Sequence, residues 1–374
     1  MKRQKRNTRL IFFVIFSFLA ISLVLWQWHV TSAEIKKTEF LTVVTPTEKE
    51  TKTKPPEQAV KAIYLTAYSA GNPKKIEEMI DLVNKTELNA VVIDIKDYSG
   101  LVLYNTKVGL ANKLGLKDVR IKNLPDLIKK LHDKKIYVIA RQTLFQDPIL
   151  AEKRPEWALK DKNGKIWRDK MGLSWVDMTN KYVWTYNLQI AKEMADLGFD
   201  EINFDYIRFP SDGQIKNIVY DTPKKKYEII ADFFHFLNKE MKGEPIWTSV
   251  DLFGLTMEHR DDMGIGQRIV DAVNEVDYIC PMMYPSHYYP GHLNFTNPAD
   301  HPQEVIANGI TKGLPFFTNT RAKFRPWLQA FNLGATYGAE KIRAQIDEVE
   351  KNSSYGWMLW NASNKYTTAG LRLE

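Results

Sequence analysis

From residue 59 onwards the chain alternates between short apolar, strand-like runs and longer helical stretches. The strand-like runs fall at 62–68 (AIYLTAY), 89–96 (NAVVIDIK), 136–141 (IYVIAR), 201–207 (EINFDYI), 245–251 (PIWTSVD), 277–284 (DYICPMMY), 325–331 (RPWLQAF) and 355–361 (YGWMLWN). Helical patterns lie between them at 74–86, 124–134, 181–197, 222–242, 264–276, 302–312 and 339–351. Parallel strands need a long crossover, usually a helix, to bring the chain back to the same end of the sheet. Eight strands with their helices in about three hundred residues predict a (β/α)8 TIM barrel, residues 59–374. The competing arrangement is a doubly wound open sheet. It usually carries a glycine-rich phosphate loop, and neither GxGxxG nor a P-loop lysine pattern is present.

Two segments precede the barrel. Residues 2–9 carry five positive charges, and the run 10–26 that follows is apolar except for Ser17 and Ser22. This is the pattern of a signal peptide or an uncleaved membrane anchor, residues 1–33, with Thr31, Ser32 and Ala33 as a small-residue cleavage region. Residues 34–58 are rich in Thr, Lys, Glu and Pro, lack periodicity and read as a disordered linker. An extracytoplasmic barrel follows, either secreted or held by a single N-terminal span.

The net charge of +7 is concentrated in that basic start, so the barrel is close to neutral. A nucleic-acid-binding body would carry a basic face of its own, and none is expected here. The single Cys280 excludes an internal disulfide. With 10 Trp and 17 Tyr, the chain has flat rings enough to stack on pyranose faces, although rings also simply pack.

The stretch 198–210, GFDEINFDYIRFP, is the most informative. Period-two alternation puts Ile202, Phe204 and Tyr206 on one face and Asn203 and Asp205 on the other. Asp205 therefore stands near the C-terminal end of a buried strand, where barrel enzymes build their sites. Pairing with Arg208 is the plainer alternative for it. The same alternation on the fifth strand puts Asp251 beside Ser249 and Trp247, with capping of the following turn as its plainer role. Other strand-end candidates are Asp94, Lys96, Arg141, Tyr284, Trp327, Gln329, Trp360 and Asn361. The loop after the sixth strand adds His287. Residues 142–179 form a long excursion, with Asn163-Gly164 as a hairpin turn, of the kind that serves a site or a lid.

Two carboxylates from neighbouring strands suit hydrolysis of a glycosidic bond. One protonates the leaving oxygen, and the other attacks the anomeric carbon or activates water. Asp205, with Arg208 nearby, is the nucleophile or base; Asp251, flanked by Trp247 and Phe253, is the acid. The remaining candidates would bind an oligosaccharide or polysaccharide. No metal or cofactor is expected. The chain has 7 His with no HxH and no HExxH, and His287 and His292 are five apart on a Pro/Gly-containing loop. GxSxG is absent as well. A non-catalytic glycan-binding barrel of the cell envelope is the alternative reading.

Several stretches resemble the bacterial "putative glycosyl hydrolase" domain family, a group of extracytoplasmic TIM barrels. They are IYVIAR (136–141), FQDPILA (145–151), RPEWALKDKNGKIWRD (154–169), GFDEINFDYIRFP (198–210), YICPMMYPSHY (278–288), RPWLQAF (325–331) and WMLWNASNKY (357–366). The resemblance spans roughly residues 60–370 and implies a barrel glycosidase. DYIRFP is also similar to the fourth-strand motif of amylase-type barrels, whose strand-end aspartate is the nucleophile; that role would fall on Asp205. Amylase-type barrels carry a Glu acid on the fifth strand, where this chain has Asp251.

Overall fold

A computed structural model describes residues 53–374. The basic and apolar N-terminal segment, read as a signal or anchor, lies outside the described residues. No helix among the described residues is long and apolar enough to cross a membrane.

Eight parallel strands close into a barrel: β1 (Val60–Leu65), β2 (Ala90–Lys96), β3 (Tyr137–Thr143), β4 (Glu201–Asp205), β5 (Trp247–Phe253), β6 (Tyr278–Met282), β7 (Trp327–Gln329) and β8 (Gly356–Trp360). Each strand pairs with its sequence neighbours, and β1 pairs with both β2 and β8, which leaves no edge. Six principal helices pack around it: α1 (Pro73–Asn84), α2 (Leu124–His132), α3 (Lys181–Leu197), α4 (Lys226–Met241), α5 (Pro302–Gly313) and α6 (Ala339–Asn352).

Local signals set most of the boundaries. The Asn72 side chain accepts from Lys74 N at 3.0 Å and Pro73 opens α1, the expected pairing of a cap with proline in the first turn. Asn180 caps α3 in the same way, and Gly198 ends it in the left-handed region (φ 92°) that glycine enters without strain. That stop aims the chain into β4. Two helical expectations need correction. Thr222-Pro223 does not open α4, which starts four residues later, where the Glu228 carboxylate accepts from Lys225 N. The run 264–276 yields only a single turn, Ile269–Ala272. Gly264 and Gly266 adopt positive φ there, and Gln267 is buried as a bridge to Ile207 O and Phe253 N.

The core has two layers. Ile202 and Phe204, both fully buried, join Ile93, Val138, Val250 and Leu359 between barrel and helices. Inside the barrel lie Val60, Ala62, Val92, Ile139, Cys280 and Met358. Burying one such side chain contributes about 1.5–3 kcal/mol, and a one-residue slip would exchange the two layers, so both hold the strands in register. At the N-terminal end of the barrel, Lys54 pairs with Asp277 at 2.7 Å and Trp247 Nε1 donates to Pro55 O at 2.9 Å. Residues of the segment read as linker therefore touch the barrel floor. The excursion after β3 contains the expected hairpin, with Gly164 at φ 74°.

Candidate active site

At the C-terminal end, apolar filling gives way to a polar cluster centred on Arg141 of β3. Its Nη1 donates to Asp94 Oδ1 at 2.6 Å, and its Nη2 contacts Asp205. Its Nε lies 3.9 Å from Asp251 Oδ2 and makes no hydrogen bond. One guanidinium thus faces carboxylates from β2, β4 and β5. Its position follows from the pleat: Arg141 is level with Asp94 on one side and Asn203 on the other.

Asp251 is buried in the barrel mouth. Its Oδ1 accepts from Asn203 Nδ2 and from Trp327 Nε1, each at 2.8 Å. Asn203 also donates to Ser249 Oγ at 3.0 Å. Burial, and then the charge of Asp205, push the Asp251 carboxyl well above the usual carboxylate range; Arg141 opposes them only in part. Asp251 caps no turn, since its side chain is committed within the barrel. Asp94 accepts from Tyr64 OH as well as from Arg141, and burial pushes it up to about 6.

Above this cluster opens a cavity of about 390 Å³, within the range of small-ligand sites. Arg141, Asp205, Arg208 and Asp251 line it, with Tyr284, His287, Trp327 and Trp360. Trp360 stacks on Tyr64 with ring centroids 3.8 Å apart and stands edge-on to Trp327 at 5.5 Å. Burial lowers the His287 pKa, which favours the neutral imidazole, and raises that of the Tyr284 phenol.

Other candidates lie elsewhere. Lys96 does not reach the cavity: the register between β2 and β3 shifts between Asp94 and Lys96, and its ammonium is buried against Asp147 at 2.8 Å and Thr143 O. Gln329 holds loops, accepting from Ser286 N and donating to Phe331 O. Asn361 donates to Ala330 O and Lys365 O and accepts from Ser363 N. It borders a neighbouring groove beyond Trp360. Asp94 and Asn203 lie beneath the cavity and hold its carboxylates and its arginine in place. The Asp205–Arg208 pair does not form.

Six wall residues escaped the sequence reading, Gly254 and Leu255 after β5 among them. β4 ends at Asp205, and Tyr206 turns into the left-handed region (φ 55°), its ring packed against the outer core at one side and lining the cavity at the other. The Asp205 carboxylate accepts from the Tyr206 N–H across this bend. Phe253, Met282 and Tyr288 complete the wall. The strand-end position of Phe253 and Met282 was the available signal for those two.

Solved structures share this architecture. The PgaB (BpsB) glycoside hydrolase domain from Bordetella bronchiseptica superposes with a TM-score of 0.60 at 12% identity, over 83% of this chain and 95% of that one. TtGalA, an alpha-galactosidase from Thermus thermophilus in complex with stachyose, gives 0.53 at 12% identity over 85% and 65%. At such identities the likeness is one of fold. A hypothetical protein from Ruminiclostridium thermocellum is 40% identical over 50% of this chain and 96% of its own, with a TM-score of 0.48. No curated protein matches the sequence. Residues 62–366 match the family described as "putative glycosyl hydrolase domain", and the chain belongs to that family.

Proposed function

We propose that this protein hydrolyses glycosidic bonds of a cell-surface or extracellular polysaccharide, with Asp251 as general acid and Asp205 as nucleophile or base. The observation that carries the reading is the contrast between two carboxylates in one cavity. Asp205 meets the Arg141 guanidinium and the Tyr206 N–H, both donors suited to an anion. Asp251 is buried with a carboxyl that favours its neutral form. Both carboxylates approach the same guanidinium, Asp205 at Nη2 and Asp251 with Oδ2 3.9 Å from Nε, which supports their acting as a pair on one bond.

Chemistry follows from the hydrogen bonds. Asp251 Oδ1 already accepts two N–H groups, so the proton of the neutral acid belongs on Oδ2. From there it passes to the leaving glycosidic oxygen. Asp205 then meets the anomeric carbon directly or through an activated water, and Arg141 steadies the negative charge between steps. Trp327 and Trp360 supply flat apolar wall for the sugar ring. The basic and apolar N-terminal sequence supports an extracytoplasmic place of action.

Asp205→Asn and Asp251→Asn test this in the full chain against wall and matrix polysaccharides, read by reducing-end release. Each substitution should lower turnover by about a thousandfold or more while glycan binding persists. Undiminished turnover in Asp205→Asn refutes the mechanism. Binding with no turnover by the wild type would instead mark a glycan-binding module.

A further inference from the structure

Arg208 is a cation that the proposed mechanism leaves unused. It lines the cavity, with its guanidinium about 5 Å from the ring centres of Trp175, Tyr206 and Phe253. Only Nη1 is engaged, donating to Phe209 O at 3.2 Å and Ser211 Oγ at 3.3 Å. Among the described residues Nε and Nη2 have no hydrogen-bond partner, and no carboxylate forms an ion pair with Arg208. The acids whose charge reaches it make no hydrogen bond to it. Asp205 is held by Arg141, Asp169 accepts from Trp175 Nε1 at 3.0 Å, and Asp212 accepts from Lys170 N at 3.1 Å.

The other arginines inside the barrel are neutralised: Arg141 by Asp94 and Asp205, Arg325 by Glu201. A guanidinium stays protonated, and taking it from water without a counter-ion is costly. Three ring faces offset part of that cost. They offer no acceptor for the free N–H groups. An edge with two parallel N–H groups matches a planar carboxylate, which accepts both. Arg208 is therefore a cation of the cavity wall whose Nε and Nη2 edge meets no carboxylate among the described residues.

We propose that Arg208 receives an anionic group of the substrate, so that the glycan cleaved here carries carboxylates, as a uronic-acid polymer does. This rests on the glycosidase reading above and names its substrate class.

The test pairs each acidic polymer with its own carboxyl-reduced form, which keeps the linkage and removes the charge. Pectate, alginate and hyaluronan, with dextran and dextran sulfate as further arms, are offered to the full chain at physiological salt. Binding is followed by tryptophan fluorescence, which Trp175 under Arg208 should report, and turnover by reducing-end release. The wild type should prefer at least one carboxylated polymer over its reduced form by about tenfold or more. Arg208→Gln should collapse that ratio, and Arg208→Lys, which keeps the charge without the fork, should leave it intermediate. Equal handling of both forms by the wild type overturns the proposal, as does a preference that survives in Arg208→Gln. Preference for dextran sulfate over every carboxylated polymer overturns it too. Selective binding of a carboxylated polymer without cleavage supports the anion site and removes the glycosidase reading, so the two fail separately.

Discussion

The barrel buries an arginine at each end, and the two ends treat it differently. At the N-terminal end Arg325 meets one carboxylate, Glu201, with both side chains fully inaccessible. Its guanidinium stacks on Tyr278 at 4.0 Å, and Tyr137 OH donates to Glu201 at 3.2 Å. At the C-terminal end Arg141 faces three carboxylates, one of them favouring its neutral form, under an open cavity that also holds the unpaired Arg208. The same side chains thus form a closed, balanced pair at one end and an unbalanced, accessible cluster at the other. A closed, charge-matched pair is out of a ligand's reach; an accessible cation without a carboxylate beside it is not.

The largest expected effect comes from unbalancing the closed end. Glu201→Gln keeps the shape and removes the counter-charge. Arg325 Nε and Nη1 already lack partners, so the guanidinium has no fallback. Chemical denaturation should show a loss of about 3–5 kcal/mol. Replacing both partners, Glu201→Leu with Arg325→Met, should return stability to within about 1 kcal/mol of wild type. Asp205→Asn should cost less than Glu201→Gln, because Arg141 retains Asp94. If Asp205→Asn proves the more destabilising, the distinction between a structural end and a functional end fails.

The two ends also differed in how much of them the sequence revealed. All eight strands were legible within a few residues, because outer-layer apolar positions and the intervening caps obey local rules. Alternation alone brought Asp94, Arg141, Asn203, Asp205 and Asp251 to one face. What alternation could not supply was the point at which it stops. A bulge after Asp94 removes Lys96 from the site, and a left-handed Tyr206 adds a ring to it. Gln329 and Asn361 sit where strands become loops, and their amides close backbone turns instead of facing the cavity. Glu201 and Arg325, far apart in sequence, became a pair only through closure of the barrel.

A smaller effect separates the ends by pH. Asp94 has its carboxyl raised from 3.8 to about 6 by burial. A raised carboxyl means the folded chain binds more protons than the unfolded one between those values, so the contribution of Asp94 to stability is largest below pH 4 and declines as pH rises to about 6. The swing is at most about 3 kcal/mol, since each unit is worth about 1.4 kcal/mol. Asp94→Asn should flatten the stability profile over that window, measured by denaturation at pH 4, 5, 6 and 7. Asp251 shifts in the same direction, so Asp251→Asn should flatten the profile further towards neutral pH. An unchanged profile in both variants would show that the open end is as well balanced as the closed one.

The smallest effect concerns the backbone itself. Tyr206 holds φ at 55°, a conformation that costs a residue with a bulky side chain about 1 kcal/mol or more. Asn adopts it more readily, so Tyr206→Asn relieves strain. It also removes a half-buried ring that lies 6.1 Å from Trp175 and 5.1 Å from the Arg208 guanidinium. The two terms oppose each other, and the net change in stability should stay within about 1 kcal/mol. Glycan binding should nevertheless weaken several-fold, because the ring is part of the cavity wall. Strain kept beside Asp205 and removable at little cost to folding is what a functional end predicts. A fall in stability beyond about 2 kcal/mol, with binding intact, would instead make Tyr206 a packing residue and move the boundary between the two ends past the end of β4.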